Sequence, residues 1–385
     1  MKEYNIPLEL FTMDSSAPSV DEAFEKSVKR EILNCFCEHK VRSKIRSARI
    51  GVTVTTICVA LEQSLSPRRC TALKNDLAER LGTDKIRFVV NNDKGVMDIE
   101  IPNKKRTFVG MGEFFALLKK HKGESGALQV AMGKDTQNNL VVKDLAKMVH
   151  TLIAGSSGTG KSVLLGAMIT SLLYQYSPKE VQLILIDPKK VEFAIYSGLP
   201  HVVSGEPITD IVKTVDVLNE AIAEMNRRYA LFEKVSTIRK NIFNLDEYNQ
   251  CVGEEEKLPK IVIVIDELAD LMLCNKREVE ICIQALAQKA RAAGIILVVA
   301  TQRPSVSVVT GVIKASLPTR IAFAVPTSTD SRCILDNTDA QVLLGWGDYL
   351  YSNFAIFAPV RMQAPFISYE DIKKLTEYII TNYSA

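Results

Sequence analysis

The chain has 385 residues, 47% of them hydrophobic and 24% charged, a size for two or three domains with a sizeable core. Its formal net charge of +3, from 48 basic and 45 acidic residues, excludes a histone-like polycation while leaving room for a few placed contacts to nucleic acid. No apolar run approaches the ~18 residues of a membrane span, MKEYNIPLELF lacks a signal-peptide layout, and eight scattered cysteines fit a reduced, cytoplasmic protein.

Residues 1–20 are polar and irregular, with Ser15, Ser16, Pro18 and Ser19 ahead of Asp21. A charge-rich helical pattern spans Val20 to about Arg46, and the run Cys35-Phe36-Cys37-Glu38-His39 inside it is the one metal-like cluster. It has no second half at zinc-site spacing, so packing on a helix face is the plainer reading. Gly51–Leu61 turns to β character, with a bulge expected between its two alternating halves. Ser66-Pro67 starts a helix, Leu73, Leu77 and Leu81 form its buried stripe, and Gly82 ends it. Strands at Lys85–Val90 and Val96–Ile101 are joined by the turn Asn91-Asn92-Asp93-Lys94-Gly95. Residues 1–106 thus read as an N-terminal segment and a small α+β domain without a nucleophile, acid pair or ligand cluster, a structural unit, and residues 107–385 as a second domain. There the stretches His150–Ala154, Val181–Ile186, Ile261–Ile265, Gly294–Ala300 and Arg320–Ala324 alternate with helical ones, the pattern of a mostly parallel α/β sheet covered on both faces. Asn244–Lys260, with Glu254-Glu255-Glu256, reads as a solvated loop.

Gly155-Ser156-Ser157-Gly158-Thr159-Gly160-Lys161-Ser162-Val163 follows a strand and opens a helix, and it fits G-x-x-x-x-G-K-[ST]. Such a turn aims backbone N–H groups and a helix dipole at one point, which makes it a phosphate site. Lys161 reaches the β- and γ-phosphates of a nucleoside triphosphate, and the Ser162 hydroxyl takes a position on Mg²⁺. Ile261–Ile265 then delivers Asp266, to hold Mg²⁺, and Glu267, to polarise the water attacking the γ-phosphate. This P-loop NTPase reading makes the chain an ATP hydrolase. Ile186-Asp187-Pro188-Lys189 is either a structural turn or a support to the site. Gln302, at the end of the next strand, is placed to contact the γ-phosphate or attacking water. Arg291 has no acidic neighbour in sequence; it is either a surface ion-pair partner or an arginine finger for a neighbouring subunit.

Lys289–Phe323, together with LVVKDLAKMVHTLIAGSSGTGKSV, LILIDPKKVEF, IVIVIDELADLM, DSRCILD and LLGWGDYLY, resembles the FtsK/SpoIIIE family of ring-shaped DNA translocases, and IEIPNKKR is similar to the end of that family's α domain. The resemblance implies a RecA-like motor, a hexameric homo-oligomer around double-stranded DNA, and ATP-powered pumping in chromosome partition, cell division or plasmid transfer. It places Arg303, Lys314 and Arg332 facing DNA, with solvated surface charge as the alternative. The family's membrane region and winged-helix domain are not in this sequence, which suggests a motor-only chain or a mobile-element protein, with a membrane-anchoring partner as one option. Ser328 stands where many relatives carry lysine. The rival readings are a conjugative coupling or packaging ATPase moving single-stranded DNA or protein, and an assembly module in which ATP binding only closes a ring.

Overall fold

The computed structural model describes residues 4–12, 21–62, 65–91, 94–121, 127–237, 241–356 and 358–384. The serines at 15, 16 and 19, Pro18, and the turn residues Asn92 and Asp93 lie outside them.

The first unit is built from α1 (Glu22–Glu38), β1 (Ser43–Ile50), β2 (Val54–Leu61), α2 (Pro67–Leu81), β3 (Arg87–Asn91) and β4 (Val96–Pro102). Its antiparallel sheet runs β1-β2-β4-β3. Val28, Ile32 and Phe36 of α1 and Leu73 and Leu77 of α2 recur at helical spacing and seal one face of that sheet. Ser66 caps α2 by accepting from Arg69 N at 3.4 Å, and Gly82 ends it at φ 64°. Two expectations fail here. The helix stops at Glu38 rather than near Arg46, and Ser43–Ile50 is an edge strand whose charged residues face out; alternation of polar and apolar residues outweighs the charge density that suggested a helix. The bulge lies on β1, between Ile45 and Ser47, rather than inside Gly51–Leu61.

The second unit continues through α3 (Phe115–His121), β5 (Gln129–Asp135), β6 (Leu140–Asp144), α4 (Leu145–Met148), β7 (Thr151–Ala154), α5 (Lys161–Gln175), β8 (Val181–Ile186), α6 (Ile211–Ser236), α7 (Leu245–Cys251), β9 (Lys260–Ile265), α8 (Leu268–Lys289), β10 (Ile295–Thr301), α9 (Gly311–Ser316), β11 (Thr319–Phe323), α10 (Ser328–Leu335), β12 (Asp348–Ser352), β13 (Val360–Gln363) and α11 (Tyr369–Tyr383). The sheet order is β6-β5-β13-β12-β11-β7-β10-β9-β8. Pairing is parallel from β11 through β8 and antiparallel from β12 through β6, so the sheet is mixed. Its central strands β7, β10 and β9 are buried on both faces. Val262, Val264, Val298 and Ala300 enter the core under α5 and α11, while Ile263, Ile265, Leu297 and Val299 enter the core under α6 and α8. Residues 4–12, grouped by sequence with the small domain, pack on this unit instead: Tyr4 donates to Leu173 O at 2.5 Å, and the Phe11 ring lies 4.1 Å from that of Phe115.

The stretch read as a loop at Asn244–Lys260 contains α7. Asn244 caps it by accepting from Glu247 N at 2.9 Å, and Leu245 and Tyr248 are buried with Phe232. Two apolar anchors in a short polar segment are enough to fold it back onto α6.

A buried ion network joins the two units. Arg361 donates to both carboxylate oxygens of Asp348, at 2.9 and 2.7 Å, and to Glu100 at 3.2 Å; Arg87 pairs with Glu100 at 3.2 Å and with Asp339 at 2.9 Å. Burial opposes the Arg361 charge, and the two carboxylates more than offset it. Removing one partner of such a group strands the others, at about 3–5 kcal/mol. Arg361→Met is therefore expected to destabilise the fold by that much, seen as a lower urea midpoint with an unchanged m value; an unchanged midpoint would mean that water already screens the network.

Candidate nucleotide site

The carboxyl ends of β7, β10 and β9 lie side by side, and the loop after β7 closes over them. Gly155 N donates to Thr301 O at 3.2 Å and Ser156 N to Ala324 O at 3.0 Å, which ties the loop to the ends of both flanking strands. Gly160 sits at φ 115°, and a Cβ there would lie 2.7 Å from Gly347 Cα, so this position needs glycine for conformation and for space. Gly347 N in turn donates to Thr159 O at 2.7 Å, fixing the loop from the far side.

Lys161 is buried and donates from Nζ to Asp266 O at 2.7 Å and Asp266 Oδ1 at 2.6 Å. The other carboxylate oxygen, Asp266 Oδ2, is buried with no hydrogen-bond partner. Burial raises the Asp266 pKa, Lys161 pulls it down, and Glu192 and Asp187 add to the rise. An orphaned, partly destabilised carboxylate oxygen at the foot of the phosphate loop is a hard-oxygen donor that fits Mg²⁺. The Ser162 hydroxyl donates to Glu192 Oε1 at 2.7 Å, which brings a second acid to the same place.

Glu267 is buried and heavily restrained. Its Oε1 accepts from Thr301 Oγ1 at 2.7 Å, Gln302 N at 3.1 Å and Ala269 N at 3.3 Å; its Oε2 accepts from Lys189 Nζ at 3.2 Å. The Gln302 side chain reaches the loop itself, where Oε1 accepts from the Ser157 hydroxyl. Both readings of Asp187 meet in one geometry. Its Oδ2 accepts from the N–H groups of Val191, Glu192 and Phe193 at 2.9, 2.9 and 3.0 Å, and that turn aims Glu192 at Ser162 and Lys189 at Glu267.

A cleft of about 800 Å³ opens from the loop. Ser156–Gly158 and Gly160–Val163 form its floor, and Arg106–Val109, Trp346 and Pro365-Phe366 its outer wall. Phe108 and Phe366 meet at 4.8 Å between centroids with their planes tilted by 57°, giving an apolar wall of the kind a nucleobase packs on. No motif or periodicity marks the Phe108–Phe366 pair in the sequence; Lys189 and Glu192 lie in LILIDPKKVEF, but nothing there gives either a role of its own.

The remaining candidates lie apart from the cleft. Arg291 is exposed in the turn before β10, at the sheet edge opposite the phosphate loop, and among the described residues it has no ion-pair partner. Arg303 is exposed just beyond β10, and Arg332 is exposed on α10, where it donates to Ser328 Oγ at 3.3 Å. Lys314 is not a free cation as expected: its ammonium donates to Asp336 Oδ1 at 2.6 Å and to Arg332 O at 3.0 Å, so it secures the end of α10.

Residues 116–306 match the FtsK/SpoIIIE family and residues 7–103 the FtsK alpha domain. The sequence is 44% identical over 346 residues to "DNA translocase FtsK" of Caldanaerobacter subterraneus, covering 90% of this chain and 48% of that protein. It is 37% identical over 396 residues to "DNA translocase SpoIIIE" of Bacillus subtilis, covering 98% of this chain and 50% of that one. The chain belongs to the FtsK/SpoIIIE family. It spans about half the length of these curated relatives. Among solved structures, the conjugation coupling protein TcpA with ATPγS superposes at a TM-score of 0.63 with 24% identity, covering 93% of this chain and 99% of that one, a likeness of fold. A P-loop ATPase fold with an FtsK/SpoIIIE sequence accounts for the phosphate loop, the two acids and the glutamine-bearing strand together. Among the described residues, no helix is long and apolar enough to cross a membrane.

Proposed function

We propose that this chain is a DNA-dependent ATPase that converts ATP hydrolysis into movement of double-stranded DNA, working as a ring of identical subunits, six by the family resemblance. The observation that carries the reading is the convergence of Lys161, Asp266, Glu267 and Gln302 on one phosphate-binding loop, in a chain whose relatives are named DNA translocases.

Mg²⁺ would be held by the Ser162 hydroxyl and Asp266 Oδ2, and it would supply charge to the phosphates. Lys161 leaves Asp266 for the β- and γ-phosphates when ATP enters. Glu267 orients the attacking water and takes its proton, and Gln302 links the γ-phosphate position to the loop that carries Arg303. Arg303 and Arg332 leave the same edge of the sheet as the phosphate loop and are the proposed grip on DNA. Lys314 supports them by holding α10.

A motor that tracks any sequence grips phosphates, which carry no sequence information. Arg303→Gln and Arg332→Gln are each expected to weaken duplex binding equally for all sequences. Each should also flatten the slope of log affinity against log salt by roughly 0.9 for every phosphate no longer neutralised. Basal ATPase should persist while its stimulation falls. Turnover measured alone, with duplex and with single-stranded DNA tests the whole reading. Strong stimulation by duplex supports it, preference for single strands assigns the chain to the coupling ATPases, and absence of turnover makes it an assembly module.

A further inference from the structure

In sequence, Cys35 and His39 formed half of a metal cluster with nothing to complete it. The fold supplies the missing donor. Cys35, in the last turn of α1, and His39, the residue that caps it, are four residues apart, and this end of the helix packs against α2 where Asp76 projects. Asp76 Oδ2 lies 3.2 Å from Cys35 Sγ and 3.2 Å from His39 Nε2, and the three donor atoms all fall within 4.8 Å of one another. Tetrahedral zinc, with bonds of roughly 2.3 Å to sulfur and 2.0–2.1 Å to nitrogen or oxygen, sets its ligands about 3.3–3.6 Å apart. Both separations from Asp76 thus stand close to the required spacing, and the third, between Cys35 and His39, lies within 4.8 Å.

We infer that Cys35, His39 and Asp76 form a Zn²⁺ site that clips α1 to α2 in the small domain. The arrangement around the donors favours this over three side chains packing by chance. Arg80 takes the other oxygen of Asp76, donating from Nε to Oδ1 at 3.1 Å, and also pairs with Glu38. That contact turns Oδ2 toward the cysteine and histidine and fixes the carboxylate plane, the role played by outer hydrogen-bonding partners at metal sites. Cys35 is buried, whereas His39 and Asp76 are partly exposed, so solvent reaches the remaining coordination position and water fills it. Thiolate, imidazole and carboxylate together suit Zn²⁺ or Co²⁺ rather than Mg²⁺ or Ca²⁺. On binding, a metal–sulfur bond forms, the thiol proton passes to solvent, and the imidazole coordinates neutral through Nε2. The site lies apart from the nucleotide cleft and is independent of the ATPase reading.

The full chain titrated with Co²⁺ alone should develop one equivalent of a thiolate-to-cobalt absorption band, displaced by Zn²⁺. Cys35→Ser should remove the band. His39→Ala and Asp76→Asn should each weaken binding at least about ten-fold, the lower end of what even outer-partner changes cost. Cys37→Ser, on an exposed face of the same helix, should bind as the parent does. Saturating Zn²⁺ should raise the melting temperature of the parent and leave that of Cys35→Ser unmoved, which reads the site even where a variant is less stable. A parent with no band, or a band that survives Cys35→Ser, overturns the assignment.

Discussion

Glu267→Gln is expected to leave ATP bound and to lower turnover about 10²–10⁴-fold, the usual contribution of a positioned general base. The amide keeps the size of the carboxylate and can still accept from Thr301 and Gln302, so the pocket should stay intact. What it loses is basicity toward the attacking water and the charge that pairs with Lys189. Lys161→Ala acts earlier. It withdraws the cation that meets the β- and γ-phosphates and strands the Asp266 carboxylate, so nucleotide affinity itself should fall. Equilibrium binding of a slowly hydrolysed ATP analogue beside steady-state ATPase separates the two outcomes. If Glu267→Gln hydrolyses ATP at the parent rate, another group activates the water, and Glu192, beside Ser162, is the first to examine.

The restraint on Glu267 explains why some of this site was legible in sequence and some was not. The phosphate loop, Asp266, Glu267 and Gln302 stand at the ends of apolar strands, and a strand buried on both faces writes itself as an unbroken run such as Ile261–Ile265. Its last residue fixes where the next side chain emerges. Lys189 and Glu192 reach the site only because Asp187 gathers three backbone N–H groups into a turn, a contact with no periodic signature. The cleft wall has the same origin: Phe108 and Phe366 meet from distant parts of the chain, through loops of ordinary composition. The ion network is harder still, since Arg87 and Asp339, or Arg361 and Glu100, are charged residues that sequence patterning sends to the surface. Lys314 shows the converse: its sequence gives no sign of a partner, and the fold sets the Asp336 carboxylate 2.6 Å from its ammonium on α9.

Arg291→Ala is expected to bind ATP nearly as the parent does and to lose about 10³–10⁵ in turnover, the contribution of an arginine finger to a phosphoryl-transfer transition state. The geometry narrows the choice left open by sequence. An ion-pair role within the chain lacks a partner among the described residues, and β10 separates the turn carrying Arg291 from Gln302 and the phosphate loop at its other end. On this geometry Arg291 is expected to serve not its own nucleotide but that of a neighbouring copy whose phosphate edge meets this face. α7 keeps the turn in place, since Leu245 N donates to Ala292 O at 2.8 Å and the Leu245 side chain fills the space over Gly294. Mixed rings give the decisive measurement. Subunits carrying Lys161→Ala have lost their own turnover but keep Arg291, and subunits carrying Arg291→Ala keep an intact phosphate loop. Neither hydrolyses alone, yet a mixture should recover part of the parent rate, because each interface pairing a sound arginine with a sound loop is a complete site. Recovery should rise and fall with mixing ratio, greatest near equal proportions. A mixture as inactive as its components at every ratio would make Arg291 a support for the turn before β10, with the charge on the γ-phosphate met from within the subunit.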